Sequence, residues 1–316
     1  MPGFVAATDS GVVVADPHAA GFELRRSLAG RAVRAVASDG VRLVAALAEG
    51  LAVSQDGGRS WDESALDEPA VAVAASRLGP AYAVTADGDV WAWSERWERR
   101  GSAPRPRLSR AAATAVAVGP ADPSLVMVAR GGVARSTDGG LRWQRPTLRR
   151  RIEVIAFHAL DPEFAYTAGD GAAVSRDGGA NWEVARDGEC VAVTADPARP
   201  DLVYAACEGT IHRRAADGPW EELIELDAIA LLTDPAMNGV VYAVAANGGV
   251  RRSNDFGSGG RHFPSSSALT SAPQCSPSQA DFRAVAMRAA APRCAAGRRA
   301  REGAPTSRPY EGHSAR

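Results

Sequence analysis

The chain has 316 residues, and its 36 basic residues (all Arg, with no Lys) nearly balance 37 acidic residues, giving a formal net charge of −1. This length suits one large domain, and no run of about 18 apolar residues is present, so no membrane-spanning helix is predicted. The charge is uneven, because residues 1–250 carry 33 acidic and 25 basic side chains (net −8) and residues 251–316 carry 4 and 11 (net +7). An acidic body is therefore followed by a basic tail.

One motif, Ser-x-Asp-x-Gly-x-x-Trp, recurs along the acidic body. Intact copies occupy residues 54–61, 136–143 and 175–182, and a partial copy begins at Ser253. Degenerate copies fill the gaps, so that seven anchor positions fall at 15, 54, 94, 136, 175, 214 and 253. A regular spacing of about 40 residues is typical of one four-stranded β-propeller blade.

The repeat anchored at 175 shows the order of strands within each unit. Short β-rich runs at 154–157, 164–168 and 172–175 are separated by turn residues, and the motif joins the third run to a fourth that begins at 181. Such a pattern predicts four antiparallel strands. The fold is therefore predicted to be all-β, a seven-bladed β-propeller over residues 1–257 whose last repeat is incomplete.

The residue types of the motif fit a hairpin turn. The Asp can accept backbone N–H groups across the turn, the Gly allows a positive φ, and the Trp covers apolar surface between neighbours. Structural rather than catalytic roles are therefore predicted for Ser54, Asp56, Gly58, Trp61, Ser136, Asp138, Gly140, Trp143, Ser175, Asp177, Gly179, Trp182, Ser253 and Asp255.

These motifs make residues 3–257 resemble the BNR/Asp-box superfamily, which includes sialidases, sortilin-type receptors, xyloglucan-degrading propellers and the photosystem II stability/assembly factors. In size and single-ring layout, the chain is most similar to the assembly-factor group. The Arg-Ile-Pro segment that sialidases carry near the N-terminus is absent, and the nearest string, 151–153, lies in mid-chain. The resemblance implies a non-catalytic binding or assembly scaffold, and the alternative is a glycoside hydrolase acting at the mouth of the central channel.

A cluster of arginines is the strongest candidate for a binding surface. Residues 96–151 contain 13 Arg and three acidic residues. The arginines follow the outer strands of the third and fourth repeats, so equivalent connections should bring them to one face. The candidate residues are Arg99, Arg100, Arg105, Arg107, Arg149, Arg150 and Arg151.

Two interpretations of this cluster remain open. One is a docking site for a phosphate, a nucleic-acid backbone or an acidic protein surface, and the other is a solvated loop in a chain that lacks Lys. Aromatic residues are not interleaved with the arginines, so single-stranded nucleic acid is not expected. The expected partner is another protein, with acidic character.

The four Cys and five His show no metal-ligand spacing, so neither a metal nor another cofactor is predicted. Cys190 and Cys207 should lie opposite each other in one hairpin, within disulfide range. Residues 1–7 lack the basic and apolar segments of a secretory signal, which predicts a cytoplasmic location. A reducing cytosol favours two buried thiols over a disulfide.

The tail, residues 258–316, is rich in Arg, Ala, Pro and Ser and does not continue the repeat. It is interpreted as disordered or as a segment that has lost its reading frame, as a basic arm, or as the source of a closing strand at 282–287. The last idea rests on the likeness of Phe-Arg-Ala-Val-Ala-Met to Val-Arg-Ala-Val-Ala-Ser at 33–38. The first repeat lacks its first strand, and such a segment would supply it.

Overall fold

β-Strands, nearly all of them in antiparallel pairs, account for all the regular structure described in the computed structural model. The described residues are 4–18, 21–40, 42–107, 109–145, 147–233, 238–245, 250–253 and 286–287. They form 24 strands in six sheets and no helix. Among these residues there is accordingly no helix that could cross a membrane. The prediction of an all-β fold is confirmed.

The first three sheets are meanders in chain order, with antiparallel pairing between successive strands. The first holds β1 (Phe4–Thr8), β2 (Gly11–His18) and β3 (Gly21–Ser27). The second holds β4 (Val33–Ser38), β5 (Leu43–Leu47), β6 (Gly50–Ser54) and β7 (Asp62–Ala65). The third holds β8 (Ala70–Ala74), β9 (Ala81–Thr85), β10 (Asp89–Trp93) and β11 (Trp97–Ser102).

The later sheets follow the same order. One holds β12 (Ala115–Val118), β13 (Val126–Ala129) and β14 (Val133–Ser136), extended by an isolated bridge from Arg135 to Gln144. The six-stranded sheet holds β15 (Ile152–Phe157), β16 (Ala165–Ser175), β17 (Glu183–Asp196), β18 (Arg199–Cys207), β19 (Thr210–Ala215) and β20 (Glu221–Glu225). The last meander holds β21 (Ala228–Thr233), β22 (Val241–Ala245) and β23 (Val250–Ser253).

The register of the six-stranded sheet divides it into two four-stranded units. In β16, residues 165–169 pair with β15, whereas residues 170–174 pair with β17. In β17, residues 183–189 pair with β16, whereas residues 190–196 pair with β18. One long strand therefore joins two units at Glu189–Cys190.

The core lies between the sheets. Strands β5 and β9 are buried at every residue, because both of their faces are covered by neighbouring sheets. Each buried cluster combines residues of two units: Val14 of β2 lies with Leu43 of β5, and Val84 of β9 lies with Val128 of β13. The abundance of Ala and Val at these positions suits close packing of sheet on sheet.

Tyrosines on second strands link neighbouring units. The Tyr82 hydroxyl donates to the Pro123 carbonyl at 2.8 Å, and the Tyr166 hydroxyl donates to the Pro200 carbonyl at 2.6 Å. Both rings are buried, and burial raises the pKa of both phenols. Each hydroxyl thus serves as a neutral donor to the first turn of the next unit.

Replacing Tyr166 with Phe should lower the free energy of unfolding by about 1 to 2 kcal/mol, because the ring packing is kept while a buried carbonyl loses its donor. Urea denaturation of the wild type and the variant measures the difference. Tyr82→Phe tests the same link between two other units and should act in the same direction. Unchanged stability in both variants would contradict a role for these hydroxyls.

Cys190 and Cys207 form a disulfide, so the expectation of two buried thiols is wrong. They are register partners in the β17–β18 pair, their Cα atoms are 4.0 Å apart, and both are fully buried. The predicted hairpin geometry is present. The expectation failed because it took the oxidation state from an assumed compartment rather than from this geometry.

A short strand from the tail lies beside the first sheet. This strand, β24 (Ala286–Met287), pairs in parallel with β1, with Val5 opposite Ala286 and Ala6 opposite Met287. The described first strands of later units instead pair antiparallel with their second strands. Of the segment 282–287, residues 282–285 lie outside the described residues, as does the rest of the tail.

Candidate functional site

The intact motifs form turns with one hydrogen-bond pattern. In the first copy, the Gly58 amide donates to Ser54 Oγ at 2.7 Å, and the Ser54 hydroxyl donates to Asp56 Oδ1 at 2.8 Å. The Ser60 amide also donates to Asp56 Oδ1, at 2.9 Å. The other two copies repeat these contacts at 2.8 to 2.9 Å, through Ser136, Asp138, Gly140 and Arg142 and through Ser175, Asp177, Gly179 and Asn181.

The tryptophans of the motif are half-buried beside these turns. Trp143 Nε1 donates to the Gly140 carbonyl at 2.9 Å, and Trp182 Nε1 donates to the Gly179 carbonyl at 3.1 Å. Trp61 differs, since its Nε1 donates to Ser27 Oγ of the preceding unit at 3.2 Å. In the partial copy, Ser253 is buried, while Asp255 lies outside the described residues.

Hydrogen bonds keep the motif carboxylates ionised. Bonds from the Ser60 hydroxyl and amide hold the pKa of Asp56 far below its ordinary value. Bonds from the Arg142 backbone and side chain lower the pKa of Asp138 to about 2. At Asp177, burial acts to raise the pKa, but the bonds from Asn181 outweigh it and the net shift is downward. These carboxylates act as acceptors for their own turns.

Acidification should therefore destabilise the protein through the motif turns. When the pKa of a carboxyl is lower in the folded than in the unfolded state, its ionised form stabilises the fold. This stabilisation is fully present at pH values above the unfolded-state pKa of about 3.9. For Asp138, this contribution is lost as the pH falls from there toward about 2. Urea denaturation at about pH 5 and about pH 2.5 should show a smaller loss of stability for Asp138→Asn than for the wild type. An equal loss in the two proteins would contradict the assignment.

The first strands of the units line a central channel of about 410 Å³. Its wall is formed by β4, β8, β12, β15, the second half of β17, and β21. Most of the lining side chains are Ala, Val, Ile and Leu, among them Val71, Val73, Val191, Ile229 and Leu231. Each first strand pairs with the second strand of its own unit and packs against the sheets of neighbouring units. Its remaining edge and side chains form the apolar wall of the channel.

Charged side chains line one end of the channel, and all of them belong to the unit that ends at Glu189. Arg151 lies 3.1 Å from Asp170, 3.1 Å from Glu189 and 3.7 Å from Glu153, measured between guanidinium nitrogens and carboxylate oxygens. Hydrogen bonds that the Arg151 guanidinium donates to Asp170 and to Glu189 raise the pKa of Arg151. One guanidinium thus lies among three carboxylates.

The predicted arginine cluster divides into paired and unpaired members. Arg99 makes a bidentate ion pair with Asp89 (2.7 and 3.0 Å), and Arg150 lies 2.8 Å from Asp187. The Arg99 pair also lowers the pKa of Asp89. Arg100 is half-buried, and its Nε has no hydrogen-bond partner among the described residues. Three of the seven candidates (Arg99, Arg150 and, as above, Arg151) are therefore neutralised within the chain.

Among the seven candidates, the exposed residues without an ion pair to any described residue are Arg105, Arg107 and Arg149, and they are called here the arginine sector.

Two connections carry the arginine sector to one end of the sheets. In the first, the Ala103 amide donates to the Gly88 carbonyl and the Ala113 amide donates to the Ala86 carbonyl, both at 2.8 Å. In the second, the Asp170 amide donates to the Arg151 carbonyl at 2.8 Å. Residues 86–88 and 169–171 are turns between second and third strands, at the opposite end from the motif turns. This end, called the turn face, also holds the charged mouth of the channel.

Buried Arg130 fixes the first of these connections. Its Nη1 donates to the Ala103 carbonyl at 2.8 Å, and its Nε donates to the Ala111 carbonyl at 3.4 Å. Burial and the nearby charge of Arg105 lower its pKa. Arg130 therefore holds the backbone that presents Arg105 and Arg107 to solvent.

Sequence reasoning missed the acidic side of the channel mouth. Glu153 is near the start of β15, and Glu189 directly precedes Cys190 at the start of the next first strand. Alignment of the first strands of all repeats would have placed both carboxylates at the same end as Arg151. The first strands of the repeats carry this signal, whereas the motif turns do not contain it.

No protein-family model matches the sequence, and no curated protein matches it. Solved β-propeller structures do resemble the fold. A GH74 enzyme from Niastella koreensis superposes with a TM-score of 0.65 at 13% identity, over 79% of this chain and 50% of that enzyme. YCF48 from Cyanidioschyzon merolae superposes with a TM-score of 0.61 at 14% identity, over 79% of this chain and 90% of that protein.

YCF48 bound to a D1 peptide gives a TM-score of 0.52 at 16% identity, over 71% of this chain and 79% of that chain. The chain thus spans half the length of the GH74 enzyme and most of the length of YCF48. At these identities, the similarity defines the fold, which is a β-propeller.

Proposed function

We propose that this chain is a non-catalytic β-propeller of the BNR/Asp-box type, which binds another protein as an assembly scaffold. The proposal includes seven blades, and it is supported by dividing the six-stranded sheet at Glu189–Cys190, which gives seven units from six sheets. Packing of Ala15 of β2 against Leu232 and Tyr242 of the last sheet supports a closed ring. Such a ring offers a broad rigid face for a partner.

The non-catalytic part of the proposal rests on the ion pairs that the channel-mouth carboxylates form with Arg151. A glycoside hydrolase needs one carboxyl that keeps its proton as the general acid. Glu153, Asp170 and Glu189 instead surround Arg151 as ion-pair acceptors. This arrangement favours a structural role at the mouth over acid catalysis.

The arginine sector is the proposed docking surface. Its exposed guanidinium groups lie on the turn face, whereas residues 1–250 carry a net charge of −8. A local positive surface on an acidic body favours an acidic protein partner and weakens as salt screens it. The solved complex of YCF48 with a D1 peptide supports protein binding by a propeller of similar extent.

Co-purification with matched variants tests this proposal. The tagged full chain is compared with a variant carrying Arg105→Ser, Arg107→Ser and Arg149→Ser, and with a control carrying Arg59→Ser, Arg77→Ser and Arg142→Ser. The control removes the same charge from exposed arginines at the motif end. We expect a partner, identified by mass spectrometry, to be retained by the wild type and the control and reduced at least about tenfold in the first variant. Equal retention by both variants would overturn the proposed surface.

A glycoside hydrolase is the second candidate, favoured by two carboxylates, Glu153 and Glu189, that line the channel itself. Screening of oligosaccharides with the wild type, Glu153→Gln and Glu189→Gln tests it. Hydrolysis that is lost in either variant would replace the scaffold proposal. A cytoplasmic location remains a prediction. The disulfide favours an oxidising compartment instead.

A further inference from the structure

The disulfide occupies a position of the repeat that other units fill without a crosslink. Cys190 and Cys207 are register partners where a first strand meets a second strand at the turn face, just before a register shift. In four other units, the same position before the same shift is filled by Val33 with Leu47, Ala70 with Thr85, Ile152 with Gly169, and Ala228 with Ala245. Strands therefore pair here without a covalent bond, and the crosslink is an addition to the fold.

The crosslink lies beside an exposed turn. Cys190 and Cys207 are buried, but Cys207 is followed directly by the exposed residues Glu208 and Gly209. Glu208 has a φ of 53°, a conformation that residues with a side chain rarely adopt. The Glu208 amide donates to the Glu189 carbonyl at 3.0 Å. Local opening of this turn breaks few hydrogen bonds, so it exposes the disulfide while the rest of the chain stays folded.

The segment just before Cys190 holds the connection that carries part of the arginine sector. The Asp187 carboxylate lies 2.8 Å from the Arg150 guanidinium, and the Glu189 carboxylate lies 3.1 Å from the Arg151 guanidinium. Both arginines directly follow Arg149 of the sector. Residues 187–189 thus link the crosslinked hairpin to the backbone that presents Arg149.

We infer that this disulfide is a reversible redox switch of the turn face. A dithiol reduces it by thiol–disulfide exchange: two electrons and two protons pass to the two sulfur atoms, which become thiols, and the dithiol becomes a disulfide. The strands stay paired in the reduced state, as they do in the other units. The hairpin end opens more often, because no covalent bond opposes release of the left-handed Glu208 turn. Its support of the Arg149 connection weakens accordingly.

Hydrogen–deuterium exchange of the full chain without any partner tests this switch. The oxidised protein is compared with protein reduced by dithiothreitol, in a Cys275→Ser, Cys294→Ser background in which only residues 190 and 207 carry sulfhydryl chemistry. We expect exchange to accelerate at least about tenfold at residues 186–190 and 206–210, and at least about twofold at 149–151. Residues 70–74 and 83–88, which contain an equivalent pair without cysteines, should not change. Reoxidation with glutathione disulfide should restore the slow exchange.

A matched variant separates the crosslink from the presence of reductant. Cys190→Ala with Cys207→Ala recreates the alanine pair found at Ala228 and Ala245. This variant should exchange like the reduced protein in both buffers. Mass spectrometry of non-reduced peptides measures the crosslinked fraction, and circular dichroism verifies that the reduced protein and the variant are folded.

The effect on docking rests on the proposed function. Retention of the co-purified partner should fall at least about threefold on reduction, because a smaller fraction of the protein presents the sector in its binding form. Retention by the double alanine variant should not respond to reductant. Equal retention by oxidised and reduced protein would overturn this coupling.

Three results of the exchange experiment would overturn the switch itself. They are a disulfide that dithiothreitol reduces only when the chain unfolds, unchanged exchange after full reduction, and unfolding of the whole chain on reduction. The exchange experiment needs no partner. Failure of the docking proposal and failure of this inference are therefore distinguishable.

Discussion

Gly171→Ala should lower the free energy of unfolding by roughly 3 kcal/mol. Gly171 has a φ of +103°, and a Cβ placed there would lie 2.4 Å from the Arg186 carbonyl oxygen. That oxygen belongs to the backbone of the paired strand β17, so it cannot move aside as a flexible side chain would. The residue lies where β16 changes partners, and the substitution should disturb the pairing of a whole unit.

Gly209→Ala is the matched control for this prediction. Gly209 occupies the corresponding turn of the next unit, with a φ of +78°, and a Cβ there would have no neighbour within 4 Å. Its cost should be limited to about 1 kcal/mol for the left-handed backbone. Urea denaturation of both variants gives the comparison. Equal losses of stability at the two positions would show that contact between the added Cβ and the Arg186 carbonyl oxygen does not contribute to the loss at Gly171.

Removing the disulfide should produce a loss of similar size. The double variant Cys190→Ala with Cys207→Ala should be less stable than the oxidised wild type by about 3 kcal/mol, because the crosslink closes a loop between residues 17 apart. Both residues lie in the cluster between the two units joined by β17. Removing the disulfide should therefore weaken the packing between these two units as well as the hairpin itself.

Reductant separates this loss from a packing defect. It should destabilise the wild type by a similar amount and leave the double variant unchanged. Mass spectrometry of peptides under non-reducing conditions checks that residues 190 and 207 are linked. A wild type that is insensitive to reductant while fully reduced would rule out a stabilising crosslink.

The repeat made most of the strand pattern predictable. The run at 154–157 lies within β15, and the run at 172–175 lies within β16. The turn chemistry of the motif also anticipated the contacts of Asp56, Asp138 and Asp177, since Asp, Gly and Ser have strong local preferences in turns. Local interactions of this kind are encoded within a few residues and can be derived from them.

Long-range contacts were not predictable in the same way. The partners of Arg151 are Asp170 and Glu189, which lie 19 and 38 residues further along the chain. Arg99 and Arg100 were expected after an outer strand but lie within β11, where Arg99 meets Asp89 of β10. Which arginines are neutralised depends on the strand pairing and turns within each unit, and composition contains no record of that.

Hydrogen–deuterium exchange of the full chain, with and without its co-purified partner, tests the central claim most directly. The proposal predicts slower exchange at residues 103–107 and 147–151 of the turn face in the complex. Exchange at the motif turns, residues 56–60 and 138–142, should be unchanged. Protection at the motif turns without protection at the turn face would contradict docking on the arginine sector.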